Sequence, residues 1–215
     1  MDHQELIQLL IAIPITLMFI GFVTGIVRYL RLGRAQKLLV LLVGLAILAE
    51  TSSRILALSG FSSYPVFHIY ILVEFSVLLL IYQSIFDRFL TKKRTTLILV
   101  SFWLLGLINV LFDQPLHLPN TNMTTLISAI WILVSILYFF WVLNRMKYAK
   151  IERSALFWIS IGLLVYYGST FVLFAFGGQL VPVSLRETFS VWVLNVFFNT
   201  LHYLCFNIAL WMDPE

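Results

Sequence analysis

The chain has 215 residues, of which 61% are hydrophobic and 11% are charged, and its mean hydropathy is +0.97. This composition excludes a water-soluble fold, because a soluble domain of this size carries many more charged residues. The net charge of +4 does not indicate a nucleic-acid partner, because membrane topology accounts for the positions of the basic residues.

Long apolar runs, each bounded by charged clusters or turn residues, predict seven membrane-spanning helices. In chain order these helices cover about residues 6–27, 38–58, 66–86, 96–112, 124–143, 156–176 and 189–211. The first run follows an acidic segment, Met1 to Glu5, so it lacks the basic region of a signal peptide and we expect it to be retained. The sequence therefore predicts one all-α, polytopic membrane domain over residues 1–215, a seven-helix bundle embedded in a lipid bilayer.

The basic residues predict the orientation of this bundle. The loops after the first, third and fifth helices hold 12 of the 14 Lys and Arg residues, namely Arg28, Arg31, Arg34, Lys37, Arg88, Lys92, Lys93, Arg94, Arg145, Lys147, Lys150 and Arg153. Loops rich in Lys and Arg stay on the cytoplasmic side of a membrane. We therefore expect the N-terminus to lie outside and the C-terminus inside.

Three ionisable side chains fall within the second and third predicted helices. Glu50 and Arg54 have i,i+4 spacing, which places them one turn apart on one face. Glu74 lies on the third helix, and Tyr70 is one turn away on the same face. With a rise of about 1.5 Å per residue, both glutamates lie roughly 12 Å below the outer end of their helix. Because isolated charges are costly in hydrocarbon, these groups are expected to turn toward one another inside the bundle.

The last two helices add polar groups at a similar depth. Asn195, Asn199 and His202 follow an i, i+4, i+7 spacing, so they form one stripe on helix 7 that is expected to face inward. Tyr166 is expected to join them from helix 6. The candidate ligand-binding pocket in the outer leaflet thus comprises Glu50, Arg54, Tyr70, Glu74, Tyr166, Asn195, Asn199 and His202.

The net charge of the pocket indicates which class of ligand it would bind. Two glutamates and one arginine carry a net charge of minus one, which favours a proton or a small cationic ligand shared between the two acids. The alternative is a network of interhelical hydrogen bonds that only holds the bundle together.

Several chemistries are excluded by the positions of reactive residues. A retinal pigment needs a lysine in the last helix, whereas the five lysines lie in predicted loops: Lys37, Lys92, Lys93, Lys147 and Lys150. The four histidines are too scattered for a zinc site, and no serine-nucleophile or cofactor motif occurs. We therefore predict no metal, cofactor or catalytic residue, while an enzyme with Glu50 or Glu74 as general acid or base stays open as an alternative.

Two stretches carry a resemblance. Residues 64–75, with the pattern His-x-Tyr-x-x-x-Glu-Phe, and the Asn-rich residues 194–203 resemble membrane regions of small, uncharacterised seven-helix proteins of Bacteroidetes. Some similar regions precede histidine-kinase domains. The resemblance implies a sensory module in a bacterial cytoplasmic (inner) membrane.

The function predicted from these features is that of a receptor-like membrane sensor. It would bind a small ligand or a proton from outside, and we expect it to signal through a separate partner because no output domain follows the last helix. A small-molecule or proton-coupled transporter and an accessory subunit of a larger membrane complex are the alternatives.

Overall fold

The computed structural model describes the backbone of residues 3–84, 86, 89–145, 150–177 and 185–212, and the side chains of 10, 12–84, 86, 89–144, 150–173 and 193–212. Within these residues the chain is all-helical. The seven helices are α1 (His3–Val27), α2 (Arg34–Leu58), α3 (Tyr64–Gln83), α4 (Lys92–Phe112), α5 (Thr121–Arg145), α6 (Ala155–Gly177) and α7 (Leu185–Trp211). Short 3-10 turns at Tyr29–Arg31 and Ile151–Arg153 precede α2 and α6.

The helices have the dimensions of membrane spans. In the described residues, α2 to α7 each contain a segment long and apolar enough to cross a bilayer, and α1 contributes a shorter apolar segment, Ala12–Val27. The predicted all-α, multi-pass membrane fold is thus confirmed. The count of seven crossings and the orientation stay predictions.

Most helices begin before the apolar run that predicted them. α2 begins at Arg34 rather than near residue 38, and the Gly33 N–H donates to Gln36 Oε1 at 2.9 Å in its first turn. α4 begins at Lys92 rather than near residue 96, after the N-cap residue Thr91. Apolarity marks the membrane-embedded part of a helix, whereas capping groups fix where the helix begins.

The seven helices form a closed bundle. Each helix packs against the next one in the chain, and α7 packs against α1. α3 also contacts α5 directly, so α4 lies at the periphery, while α2 contacts α6 across the bundle. Many large apolar side chains of α4 are exposed, including Leu97, Val100, Trp103, Leu104, Leu107 and Leu111, as expected for a surface that faces lipid.

Antiparallel packing of successive helices gives the bundle two ends. The connections α1–α2, α3–α4 and α5–α6 form one end, here called the basic end, which carries Arg28, Arg31, Arg34, Lys37, Lys92, Lys93, Arg94, Lys150 and Arg153. Of the remaining basic residues predicted there, Arg88, Lys147 and the side chain of Arg145 lie outside the described residues. The connections α2–α3 and α4–α5 lie at the opposite end, here called the open end.

The half of the bundle near the basic end is filled by side chains. Trp131 and Tyr82 are almost completely buried, with ring centroids 5.5 Å apart. The Tyr82 hydroxyl lies 2.8 Å from Ser160 Oγ, which joins α3 to α6. Gln36 donates from Nε2 to the Ala209 and Met212 carbonyl oxygens at 2.9 and 3.0 Å, which ties α2 to the end of α7.

Candidate functional site

A cavity of about 510 Å³ lies between the helices in the half of the bundle near the open end. Tyr64 and Phe67 from the start of α3, together with Pro119 and Asn120 from the α4–α5 connection, place the cavity at that end. It is also lined by Pro14, Ile15, Met18, Ala46, Ala49, Glu50, Arg54, Tyr70, Ile71, Glu74, Thr124, Ile127, Tyr166, Tyr167, Thr170, Val196, Asn199, His202 and Tyr203. Six of the seven helices therefore contribute to its wall.

Glu50 and Arg54 form an ion pair on the α2 side of this cavity. Arg54 Nε donates to Glu50 Oε1 at 2.8 Å, and the Arg54 and Glu50 side chains are 48% and 35% exposed respectively. The i,i+4 spacing predicted this geometry. Because the pair is partly exposed, its contribution to stability is small, about 0.5 kcal/mol, but each charge neutralises the other.

Glu74 lies in the interior of the bundle. It is 8% exposed and sits ten residues after the start of α3, about 15 Å along the helix axis. The Tyr70 hydroxyl donates to Glu74 Oε1 at 3.4 Å, which is a long hydrogen bond. The Tyr167 hydroxyl also interacts with this carboxylate, although its geometry falls short of a hydrogen bond.

Tyrosines surround this carboxylate from three helices. Tyr70 on α3, Tyr166 and Tyr167 on α6, and Tyr203 on α7 are all close enough to interact with it electrostatically. In the described part of the chain, no Lys or Arg forms an ion pair with Glu74, because Arg54 is paired with Glu50. Glu74 therefore leaves one formal negative charge uncompensated whenever it is ionised.

His202 closes the cavity on the α7 side. Its Nδ1 lies 2.9 Å from the Gly162 carbonyl oxygen, and since a carbonyl oxygen only accepts, the ring carries a proton on Nδ1. A Cβ added at Gly162 would lie 3.0 Å from Cys205 Cβ and 3.2 Å from the His202 carbonyl oxygen. A side chain at residue 162 would therefore require a small local shift where α6 and α7 position the imidazole. The neighbouring Tyr166 ring lies 4.9 Å from the imidazole, centroid to centroid.

Side-chain amides hold the α4–α5 connection in place at the cavity entrance. Asn109 Nδ2 donates to Asn120 Oδ1 at 3.1 Å, and Asn122 Nδ2 donates to Asn109 Oδ1 at 3.1 Å. His68 Nε2 donates to the Leu118 carbonyl oxygen at 3.0 Å, which fastens the same connection to α3. Pro119 and Asn120 thus form a fixed part of the cavity rim.

The structure brings together seven of the eight predicted ligand-binding residues. Those that line the cavity are Glu50, Arg54, Tyr70, Glu74, Tyr166, Asn199 and His202. Asn195 is half-buried and does not line it. The two acids lie in the same cavity but have different hydrogen-bond partners. Glu50 accepts from Arg54, and Glu74 accepts from Tyr70.

The pocket predicted from the sequence left out three cavity residues that bear on its chemistry: Tyr203 on α7, and Tyr167 and Thr170, which are polar residues of the predicted sixth helix. Tyr203 follows Asn199 by four residues, a signal that could have placed it on the same helix face. Tyr167 and Thr170 line the cavity, and their hydroxyl oxygens are buried and lack a hydrogen-bond partner of ordinary geometry within the described residues. Buried hydroxyl groups are usually paired, so these two could bond to a molecule in the cavity.

The arrangement of these residues suits the binding of a positively charged group. No group of three or more His, Cys, Asp and Glu side chains suited to a metal ion occurs in the described part of the chain. Comparisons with protein-family models, with curated proteins and with solved structures gave no match.

Proposed function

We propose that this protein is a receptor-like membrane sensor of bacterial cytoplasmic membranes. In this proposal a small cation or a proton enters from outside through the open end and binds at Glu74. A separate partner then carries the signal onward. The orientation in this proposal rests on the positive-inside rule.

The observation that carries the proposal is the uncompensated carboxylate of Glu74 in a cavity. An ionised carboxylate removed from water costs several kcal/mol unless a cation or several hydrogen bonds compensate it. Glu74 has one long hydrogen bond, from Tyr70. A bound proton or cation would supply the missing compensation, so the site is suited to both.

Sensing is favoured over transport because the described residues near the basic end are packed together. Toward the basic end, Leu78, Trp131, Ser160 and Leu210 are fully buried, and the Tyr82–Ser160 hydrogen bond crosses the interior. Transport would need a second opening through this packed half. A site that is reached from one side binds and reports a ligand without such an opening.

Stability measurements test whether Glu74 is the binding group. The melting temperature of purified wild-type protein and of Glu74→Gln is measured in detergent micelles, at several pH values and with added cations. The difference between the two proteins should vary with pH or cation concentration, since a ligand at 100 times its Kd stabilises the folded state by about 2.7 kcal/mol. Among the described residues, the charged and titratable groups that line the cavity with Glu74 are Glu50, Arg54, Tyr64, Tyr70, Tyr166, Tyr167, His202 and Tyr203.

A matched control separates a local effect of Glu74 from a general effect of charge. Glu152→Gln removes an exposed carboxylate from the turn before α6 at the basic end, and it should follow the wild type at each condition. Parallel curves for wild type and Glu74→Gln under all conditions would contradict the proposal.

Flux measurements distinguish the sensor from the transporter. Proteoliposomes that contain the wild-type protein should show no proton or cation flux, although the protein is stabilised by the same ions. Flux that occurs with the wild-type protein and is lost in Glu74→Gln would show that the protein is a transporter rather than a sensor. Stoichiometric co-purification of a partner without any cation effect would favour the accessory subunit.

A further inference from the structure

We infer that the cavity binds an organic ammonium ion with N–H donors. Its nitrogen would lie at Glu74, and its hydrocarbon part would extend toward the open end along the aromatic rings that line the cavity. This inference rests on the proposed function and specifies the class of ligand. It follows from three features of the cavity: its size, its rings and its buried hydroxyl groups that lack a hydrogen-bond partner of ordinary geometry within the described residues.

The size of the cavity favours an organic cation. A volume of about 510 Å³ lies within the range of small-molecule sites, roughly 300–1,000 Å³. A bare inorganic cation is held instead by a compact shell of several oxygen atoms. The described part of the chain offers no group of metal-ligating side chains here, so most of the space is available to a molecule with a body.

Aromatic rings line the cavity around the negative charge. Tyr70, Tyr166 and Tyr203 adjoin Glu74, and Tyr64 and Phe67 extend the aromatic lining to the open end. The face of an aromatic ring attracts cations and also packs against hydrocarbon. This wall therefore suits a cation that carries an apolar group.

Unpaired oxygen atoms favour an ammonium group with N–H bonds over a quaternary ammonium group. Tyr167 and Thr170 each present a buried hydroxyl oxygen that has no partner of ordinary geometry within the described residues. The Glu74 carboxylate accepts one long hydrogen bond in this structure. A primary ammonium group has three N–H donors, which could be shared among these oxygens, whereas a quaternary group has none.

The experiment compares three probes that share a phenethyl group by isothermal titration calorimetry in nanodiscs. The probes are phenethylammonium, which has charge and N–H donors, phenethyltrimethylammonium, which has charge alone, and 2-phenylethanol, which has neither. Wild-type protein should bind phenethylammonium at least about tenfold more tightly than each of the other two, the ratio that one charge-assisted hydrogen bond provides.

Variants locate the binding group. Glu74→Gln should reduce the preference for phenethylammonium over 2-phenylethanol to less than about threefold, whereas Glu152→Gln should keep it. Tyr203→Leu should weaken phenethylammonium binding about three- to thirtyfold, and Tyr203→Phe, which keeps the ring, should weaken it less. A circular dichroism melt of each variant shows that it is folded.

Each alternative outcome has a separate meaning. If phenethyltrimethylammonium binds as tightly as phenethylammonium, the assignment of N–H donors is wrong. If Na⁺ or a pH change stabilises the protein through Glu74 while phenethylammonium binds no better than 2-phenylethanol, the ligand class is wrong and the proposed function stands. If no cation and no pH change acts through Glu74, both are wrong.

Discussion

Gln36 offers the clearest test of the packing near the basic end. Its side chain is 1% exposed and makes three hydrogen bonds: Oε1 accepts from the Gly33 N–H, and Nε2 donates to the Ala209 and Met212 carbonyl oxygens. A hydrogen bond contributes about 1 kcal/mol net. Replacement of Gln36 by Met, which is unbranched and of similar length, should therefore lower the free energy of unfolding by about 2–3 kcal/mol.

The contribution of the two donated bonds can be separated from that of the accepted bond. Gln36→Glu keeps an acceptor for Gly33 but replaces the amide nitrogen with an oxygen that faces two carbonyl oxygens, so it should destabilise the protein at least as much as Gln36→Met. Unfolding in mixed micelles, followed by tryptophan fluorescence, gives these free energies. Gln83→Met is the control, because Gln83 is half-buried and its side chain makes no hydrogen bond within the described residues. Equal losses of unfolding free energy in Gln36→Met and Gln83→Met would show that the hydrogen bonds of Gln36 do not stabilise the bundle.

The remaining predictions concern packing and polar contacts elsewhere in the bundle. A Cβ added at Gly25 would lie 2.3 Å from Val40 Cγ2, so Gly25→Ala should destabilise the α1–α2 contact by about 1–3 kcal/mol, and Val40→Ala in the same chain should recover part of this loss in equilibrium unfolding. Tyr82→Phe and Ser160→Ala should each cost about 1–3 kcal/mol, and because they break the same 2.8 Å hydrogen bond, the double variant should cost less than the sum. Arg54→Gln should change the unfolding free energy by less than about 1 kcal/mol, because its ion pair is partly exposed; a larger loss would show that the pair is more strongly coupled to the cavity.

Helix positions and much of the cavity could be predicted because hydrocarbon imposes simple rules on a sequence. Apolar length identifies helices that can span a bilayer, and the cost of charge in lipid predicts that Glu74 turns into the bundle. Helical periodicity placed Asn199 and His202 on one face. Each of these inferences depends on the helix alone and needs no knowledge of its neighbours.

Features that depend on helix rotation and on distant partners could not be predicted in this way. The cavity lining from α7 comprises Val196, Asn199, His202 and Tyr203 but not Asn195. Asn195 lies within about 40° of Asn199 and of His202 around the helix, so helical spacing alone could not predict that it is left out. The two carbonyl oxygens that accept from Gln36 Nε2 are 173 and 176 residues away in the chain, and nothing in the spacing of the basic residues indicates them. Whether Arg54 pairs with Glu50 or with Glu74 likewise depends on how α2 and α3 face each other.

In the proposed function, Glu74 is the group that holds the bound positive charge. Infrared difference spectroscopy of the carboxyl C=O stretch reports the state of a glutamate side chain directly. If Glu74 holds the charge, adding phenethylammonium or changing the pH alters a carboxyl band that is present in wild-type protein and in Glu152→Gln but absent in Glu74→Gln. A difference spectrum that is identical in all three proteins would contradict it.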